Sequence, residues 1–297
     1  MLRRTRRRRR SNNLLMPRIM LLAFFVIAIY MAFLNYDQRQ VSVSPPAEGE
    51  IRVHFIDVGQ GDSVLIQSTN HAVLIDAGPT VAGQNIVTYL NHFGITTIDY
   101  VVATHPHADH IGGMPHVLDR FIVHNLWMPD RSHTTDTFDR FLDAIERNEI
   151  QITTIEAGAS LSAGPIQMMA VAPNSSGHDN LNDYSIVLHM QHGGTSFLFT
   201  GDAEAISENE ILAAGWHIQA DVLDVGHHGS RTSSTDRFLD AVQPSAAIIQ
   251  VGADNQFGHP HREVMDRFAE RGITVLQTAE MGNIVLSTNG VDIYLYD

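Results

Sequence analysis

The sequence predicts a layered α/β domain with two β-sheets, preceded by one N-terminal transmembrane or signal-anchor helix. Short β-rich runs alternate with helical ones from residue 51 onward. An arginine cluster is followed by an uncharged, mostly apolar run from Ile19 to Leu34. The 297 residues, 44% of them hydrophobic, are enough for one sizeable core but few for two.

The N-terminus is predicted to reach a membrane. Arg3, Arg4 and an unbroken run at 6–10 precede the apolar segment, whose 16 residues fall a little short of the roughly 20 that a spanning helix needs. A cleaved signal peptide and a retained anchor are therefore both open, and the lack of a small-residue cleavage site favours the anchor. The arginines are expected in the cytoplasm and the following chain outside, secreted if cleaved. A basic tail that binds nucleic acid or anionic lipid is the alternative.

The chain divides into an anchor (1–36), a polar linker (37–50) with Pro45-Pro46, and a catalytic domain (51–297). We predict strands at 51–58, 62–68, 71–77, 98–104, 185–190, 196–200, 221–226, 246–251, 273–278, 283–288 and 291–296. Apolar periodicity predicts helices around 86–93, 138–145, 207–214, 235–242 and 263–271.

Charge and composition restrict the function. From Asp37 onward the chain holds 11 of its 19 arginines against all 33 carboxylates, a net charge of −22, and it has no lysine. Such a surface repels polyanions, which argues against tight non-specific DNA binding outside a locally cationic cleft. The absence of cysteine excludes disulfides and thiolate zinc sites, so any metal must be held by histidine and carboxylate.

A metal-binding loop is the sharpest signal. The run from Thr104 to Gly113 (THPHADHIGG) places three imidazoles and one carboxylate within six positions, just after a buried strand. Imidazole and carboxylate suit zinc, and also manganese or iron. Here the sequence resembles the metallo-β-lactamase superfamily, whose H-x-H-x-D-H signature is matched in full. The resemblance implies an αββα sandwich with two divalent ions, zinc first and manganese as the alternative. Four ligands follow from it, with the first ion on His105 and His107 and the second on Asp109 and His110.

Two further ligands are expected from later strand ends. By the same resemblance, Asp202 in a Gly-Asp turn bridges the two ions, and His227 is the last imidazole. His228 is the alternative, because spacing alone cannot separate adjacent residues.

A narrower resemblance is to the extracellular metallo-β-lactamase domain of ComEC, the competence DNA-uptake channel. Three runs carry it: FIDVGQGDS (55–63), HHGS (227–230) and NQFGHP (255–260). Asn182 and Ser185 stand where the superfamily has a third histidine for the first metal, which puts full occupancy of that site in doubt; His178 is the one histidine considered as its substitute. Asp62, Asn182, Ser185 and His228 are predicted to contact substrate or orient ligands.

The predicted reaction is hydrolysis of a phosphodiester, with single-stranded DNA as first candidate. Two ions about 3.5 to 4 Å apart can share a water, lower its pKa and present hydroxide to the substrate. Asp109 and His259 are the predicted catalytic residues, the latter as an imidazolium that contacts phosphate or protonates the leaving oxygen. The alternatives are a hydrolase of phosphocholine or other small esters, and a non-catalytic binding module stabilised by metal. The sequence indicates no protein partner.

Overall fold

A computed structural model describes residues 43–296 of the chain. The predicted anchor at 1–36 and the first part of the predicted linker lie outside these residues. Between Val43 and Tyr296, no helix is long and apolar enough to cross a membrane. The second part of the predicted linker packs on the domain, since Arg52 donates a hydrogen bond to the Ser44 carbonyl oxygen (2.8 Å).

The first sheet has eight strands. In chain order they are β1 Ile51–Phe55, β2 Val64–Gln67, β3 Ala72–Ile75, β4 Thr97–Val102, β5 Ile122–Met128, β6 Ile152–Thr154, β14 Ile284–Thr288 and β15 Ile293–Leu295. Their spatial order is β15-β14-β1-β2-β3-β4-β5-β6. Pairing from β3 through β6 is parallel, so these strands have their carboxyl ends at one edge.

The second sheet has seven strands. They are β7 Ser160–Ala163, β8 Ile166–Ala172, β9 Val187–His192, β10 Thr195–Phe199, β11 Val222–Asp224, β12 Ala246–Ile249 and β13 Thr274–Gln277. They run in the order β13-β12-β11-β10-β9-β8-β7, with β10 to β13 parallel.

Helices cover the outer faces of both sheets. The α-helices are α1 Gly83–His92, α2 Ala108–Ile111, α3 Met114–Leu118, α4 Asp136–Arg147, α5 Ala205–Ala214, α6 Asp236–Val242, α7 Arg262–Glu270 and α8 Thr278–Met281. Short 3₁₀ turns lie at Thr80–Ala82, Leu181–Tyr184 and Gly226–Gly229. Helix α4 is capped at its N-terminus, because the Thr135 hydroxyl accepts a hydrogen bond from the Phe138 amide at 3.3 Å.

Three apolar layers hold this architecture together. One lies between the sheets and includes Phe55, Phe197 and Phe199. The other two lie under the helices of each outer face, around Phe141 and Phe268. A helix–sheet–sheet–helix sandwich results, and the predicted fold of the domain is confirmed.

The strand ends position the site. The segments that follow β4, β10 and β11 carry the residues singled out from the sequence and meet at one edge of the sandwich. Such loops at the carboxyl ends of parallel strands place side chains from distant parts of the chain together on a rigid base.

Candidate metal centre

The histidine-rich loop turns from an extended segment into a short helix. His105 follows β4 and is fully buried, and His107 is the extended residue that precedes α2 (φ −77°, ψ 151°). Asp109 and His110 lie within α2. This change of backbone direction within six residues sends neighbouring side chains to different sides of Asp202.

A first group of ligand atoms is formed by His105, His107 and Asp202, which lie within 4.8 Å of one another. His105 Nε2 is 2.9 Å from His107 Nδ1 and 3.6 Å from Asp202 Oδ2. Two nitrogens this close, beside a carboxylate oxygen, are spaced as ligands of a single ion.

A second group is formed by Asp109, His110 and His228, also within 4.8 Å of one another. His110 Nε2 is 3.3 Å and His228 Nε2 is 3.7 Å from Asp202 Oδ1. Asp202 thus faces the first group with Oδ2 and the second with Oδ1, the placement expected of a bridging carboxylate.

The second group and Asp202 hold buried polar atoms that lack a hydrogen-bond partner among residues 43–296. These atoms are His110 Nε2, His228 Nε2 and Asp202 Oδ1. Leaving such atoms unpaired is costly, and a cation between them would satisfy all three. The donor set of imidazole and carboxylate suits zinc, manganese or iron, so the residues present fit a pair of divalent ions.

Charge in the centre is arranged for cation binding. Burial opposes ionisation of Asp202, but His110 and His228 outweigh it and hold the pKa of this carboxyl well below its usual range. Burial and the neighbouring His110 lower the pKa of His105 well below its usual value. His105 is therefore neutral, the form that binds a metal.

The two histidines of the second group are oriented through their second ring nitrogens. Asp76 Oδ2 lies 2.8 Å from His110 Nδ1. His228 Nδ1 lies 2.9 Å from the Gln250 carbonyl oxygen and 3.1 Å from Oδ1 of Asp62, which was predicted to orient a ligand. These contacts set the tautomer and turn Nε2 toward Asp202.

Asp76 was missed in the sequence. It is fully buried and also accepts hydrogen bonds from the Thr104 amide (2.8 Å) and hydroxyl (2.6 Å). In the sequence, Asp76 is marked only as a carboxylate at the end of an apolar run (HAVLIDAG). In the structure its backbone has a φ of 55°.

The two adjacent histidines lie at different places around Asp202. His228 is buried in the second group, whereas His227 belongs to neither group and is a quarter exposed. Its Nε2 lies 3.7 Å from Asp202 Oδ2 and its Nδ1 lies 3.0 Å from Glu204 Oε1. Both histidines adopt positive φ (51° and 54°) within one tight turn, so they reach different oxygens of Asp202. The geometry favours His228, the alternative, as the last imidazole of the second ion.

Ser185 lies against the first group, and Asn182 lies beside Glu204 and His227. The Ser185 hydroxyl accepts a hydrogen bond from the Asp202 amide (3.1 Å) and is 3.4 Å from His105 Nδ1. The amide of Asn182 donates to Glu204 Oε1 at 3.1 Å. Both side chains therefore border the side on which a third histidine is missing.

His259 lies at the rim, with its ring 5.5 Å from that of His227. Burial, followed by the charges of His227, His228 and His261, lowers the pKa of His259 to about 4. It is neutral at physiological pH, which does not fit the predicted imidazolium; as a neutral ring it can still donate or accept a hydrogen bond. The exposed ring of Phe257 stacks on it at 5.7 Å.

Two arginines that lie close in sequence to the HHGS and NQFGHP runs are paired with acids. Arg231 lies 3.5 Å from Glu263, and Arg262 lies 3.4 Å from Asp266. All four side chains are more than half exposed, so neither pair concentrates positive charge at the metal centre.

The chain is similar in sequence to a known protein family and to several known proteins. A family model of the metallo-β-lactamase superfamily matches residues 56–167 and 175–252. The chain is 29% identical over 303 residues to the ComE operon protein 3 of Bacillus subtilis (strain 168), covering 90% of this chain and 39% of that protein. It is 31% identical over 254 residues to competence protein ComA of Neisseria gonorrhoeae, covering 80% and 33%. The match thus spans only 39% and 33% of the two relatives' own lengths.

A solved structure supports the fold alone. The metallo-β-lactamase fold protein YhfI from Bacillus subtilis superposes with a TM-score of 0.51 at 14% identity, covering 76% of this chain and 95% of that one. At this level of identity, the likeness carries no information on the reaction.

Proposed function

The chain belongs to the metallo-β-lactamase superfamily, and on that premise we propose that it is a dinuclear metal-dependent hydrolase of phosphodiesters. One observation carries the proposal: two groups of ligand atoms flank Asp202, each facing a different oxygen of its carboxylate. A bridging carboxylate between two sets of imidazoles is the arrangement that a two-ion hydrolytic site needs.

The protein's own contribution is to fix ligand geometry and shape a polar rim. A pair of divalent ions would supply an activated water and stabilise charge on the substrate oxygens. Asp76 and Asp62 hold the rings of His110 and His228 so that their Nε2 atoms are presented inward. At the rim, His259 is placed to hydrogen-bond the substrate as a neutral ring.

Single-stranded DNA is the first substrate that we propose. The support is the similarity to the ComE operon protein 3 and competence protein ComA, together with the resemblance to the ComEC domain. Charge argues the other way, since the chain from Asp37 onward carries a net charge of −22 and Arg231 and Arg262 are paired with acids. The ions themselves are then the main cationic feature for a phosphate to meet.

Two other functions stay as alternatives. A phosphocholine esterase of the same fold needs an aromatic cage for the quaternary ammonium, and Phe257 offers one exposed ring at the rim. A non-catalytic binding module would keep the metals without turnover. The esterase would consume a choline ester, whereas the binding module would consume no substrate.

A substrate panel tests the proposal. The purified full chain, loaded separately with zinc or manganese, is assayed on bis-p-nitrophenyl phosphate, single-stranded DNA, a p-nitrophenyl phosphocholine ester and a lactam. We expect turnover of the first two that is lost in Asp202→Ala. Cleavage of the lactam alone would contradict the proposal, turnover of the choline ester alone would favour the esterase, and bound metal without any turnover would favour the binding module.

Location in the membrane is a separate proposal. It is supported by the arginine cluster at 3–10 and the apolar run from Ile19 to Leu34. Protease added outside intact cells should digest the catalytic domain while the chain fractionates with membranes. Recovery of a protected chain in the soluble fraction would contradict this topology.

A further inference from the structure

The first group supplies three ligands, and the superfamily's third histidine is absent from this chain. We propose that His227 and the side-chain oxygen of Asn182, both positioned by Glu204, occupy the side of the first metal that this histidine leaves open. The inference rests on the dinuclear site of the proposed function and assigns residues that the H-x-H-x-D-H pattern does not contain.

Glu204 connects the two side chains. Its Oε1 lies 3.0 Å from His227 Nδ1 and 3.1 Å from Asn182 Nδ2. Its Oε2 accepts a third hydrogen bond, from Asn180 Nδ2 at 3.0 Å. An ionised carboxylate only accepts, so it fixes the proton of His227 on Nδ1 and turns the amide NH₂ of Asn182 toward itself.

The other end of each side chain is left for a ligand. Asn182 is 4% exposed, and its buried Oδ1 has no hydrogen-bond partner in the part of the chain that the structure describes. Its orientation is settled by the contact with Glu204, because the opposite amide rotamer would place an oxygen against a carboxylate. A buried amide oxygen in this state is suited to a hard divalent cation such as manganese.

His227 approaches the same oxygen of Asp202 as His105, although it lies outside the groups whose ligand atoms are all within 4.8 Å of one another. Its Nε2 lies 3.7 Å from Asp202 Oδ2, and His105 Nε2 lies 3.6 Å from the same oxygen. Two ligands at about 2.0 to 2.2 Å from one tetrahedral ion are separated by about 3.4 Å. Both imidazoles therefore share the Asp202 oxygen that faces the first group.

The same carboxylate–histidine arrangement occurs three times around Asp202. The pairs are Asp76–His110, Asp62–His228 and Glu204–His227, each joining a carboxylate to Nδ1 and leaving Nε2 toward Asp202. The backbone of His227 adopts a φ of 51°, which is uncommon outside glycine and persists only where the surroundings impose it. Repetition of the pattern indicates that His227 is placed for the same task as the two buried histidines.

His178, the substitute considered from the sequence, faces elsewhere. Its Nε2 lies 3.4 Å from Glu210 and 3.2 Å from the Ser175 hydroxyl. Glu210 and Glu204 thus form two comparable carboxylate–histidine pairs at α5, and only the second adjoins Asp202. The first pair provides matched controls.

Metal binding tests the inference without using activity. Apo full chain is titrated with Mn²⁺ or Zn²⁺ against a chromophoric chelator, and bound metal is counted. Glu204→Gln should weaken one of two sites by about 10- to 100-fold, the effect typical of residues that orient a ligand. His227→Ala and Asn182→Ala should each bind a single ion where the wild type binds two, while Glu210→Gln and His178→Ala should bind two.

The remaining ion reports folding, because a variant that keeps the second site is folded. Two ions bound with wild-type affinity in His227→Ala and Asn182→Ala would overturn the inference. So would loss of both ions in all three variants, or equal behaviour of Glu204→Gln and Glu210→Gln. Absence of phosphodiester turnover by wild type with two ions bound would instead count against the proposed function alone.

Discussion

Replacement of Asp76 by asparagine should weaken the second metal site selectively. The carboxylate of Asp76 is fully buried and accepts from His110 Nδ1 at 2.8 Å. Asparagine has the same shape, but the atom facing His110 becomes an NH₂ group if Oδ1 keeps its bond to the Thr104 amide. His110 must then accept through Nδ1 and carry its proton on Nε2, the nitrogen that faces Asp202 and the metal.

The size of the effect follows from this change of tautomer. Loss of an orienting partner typically costs 10- to 100-fold in metal affinity, about 1.4 to 2.7 kcal/mol. The first group should lose less affinity, because Asp76 reaches His105 only indirectly, through the Thr104 hydroxyl that lies 3.1 Å from His105 Nδ1. Chelator competition on the full chain with zinc or manganese measures both sites.

Asp99→Asn is the matched control for this prediction. Asp99 lies on β4 of the same sheet and also pairs with a histidine, His71 Nδ1 at 3.3 Å, but neither residue belongs to the metal groups. Unchanged second-site affinity in Asp76→Asn, or an equal loss in Asp99→Asn, would refute the reasoning.

Three further predictions follow from the described residues. Burial lowers the pKa values of His110 and His228, but Asp202 and the orienting carboxylates outweigh burial and raise these pKa values well above normal. Metal binding should therefore release protons and become tighter as pH rises. Calorimetry in buffers of different ionisation enthalpy measures the proton release, and a binding enthalpy that does not depend on the buffer would contradict it. Burial and then the charge of Arg52 lower the pKa of His54 from 6.5 to about 3, so the neutral ring stabilises the fold above pH 6.5 and this stability is lost as pH falls toward 3. Between pH 7 and pH 5 His54 contributes a loss of about 2 kcal/mol, so in urea unfolding the wild type should lose about that much more than His54→Gln, and equal losses in the two proteins would contradict this. In Gly113→Ala the new Cβ would clash with the Ala77 carbonyl oxygen. The Tm should therefore fall by several degrees, a loss of about 1 to 3 kcal/mol of stability. An unchanged Tm would show that the backbone moves to accept the Cβ at no cost.

Much of the metal centre could be predicted because its ligands lie in contiguous runs. His105 to His110 form a local pattern whose chemistry does not depend on distant contacts, and Asp202 follows a recognisable strand. The orienting residue Asp76 could not be singled out, since its role depends on two strands pairing in space. His227 and His228 could not be separated either, because a turn with two left-handed residues decides which ring goes to which side.

The fold shows the same division. Strongly periodic segments such as α4 and the apolar run of β3 were predicted near their observed bounds. Strands β5 and β8 were not predicted. Polar residues interrupt the apolar pattern of β5, and a bulge interrupts the pairing of β8 with β9. The anchor predicted at 1–36 lies outside the described residues and stays a prediction.

Anomalous scattering from crystals of the full chain grown with zinc tests the dinuclear centre most directly. We expect two peaks about 3.5 to 4 Å apart on either side of Asp202. One peak should be ligated by His105 and His107, with His227 and Asn182 on its remaining side, and the other by Asp109, His110 and His228. A single peak, or two peaks that do not share the Asp202 carboxylate, would show that the chain does not hold a dinuclear centre at Asp202.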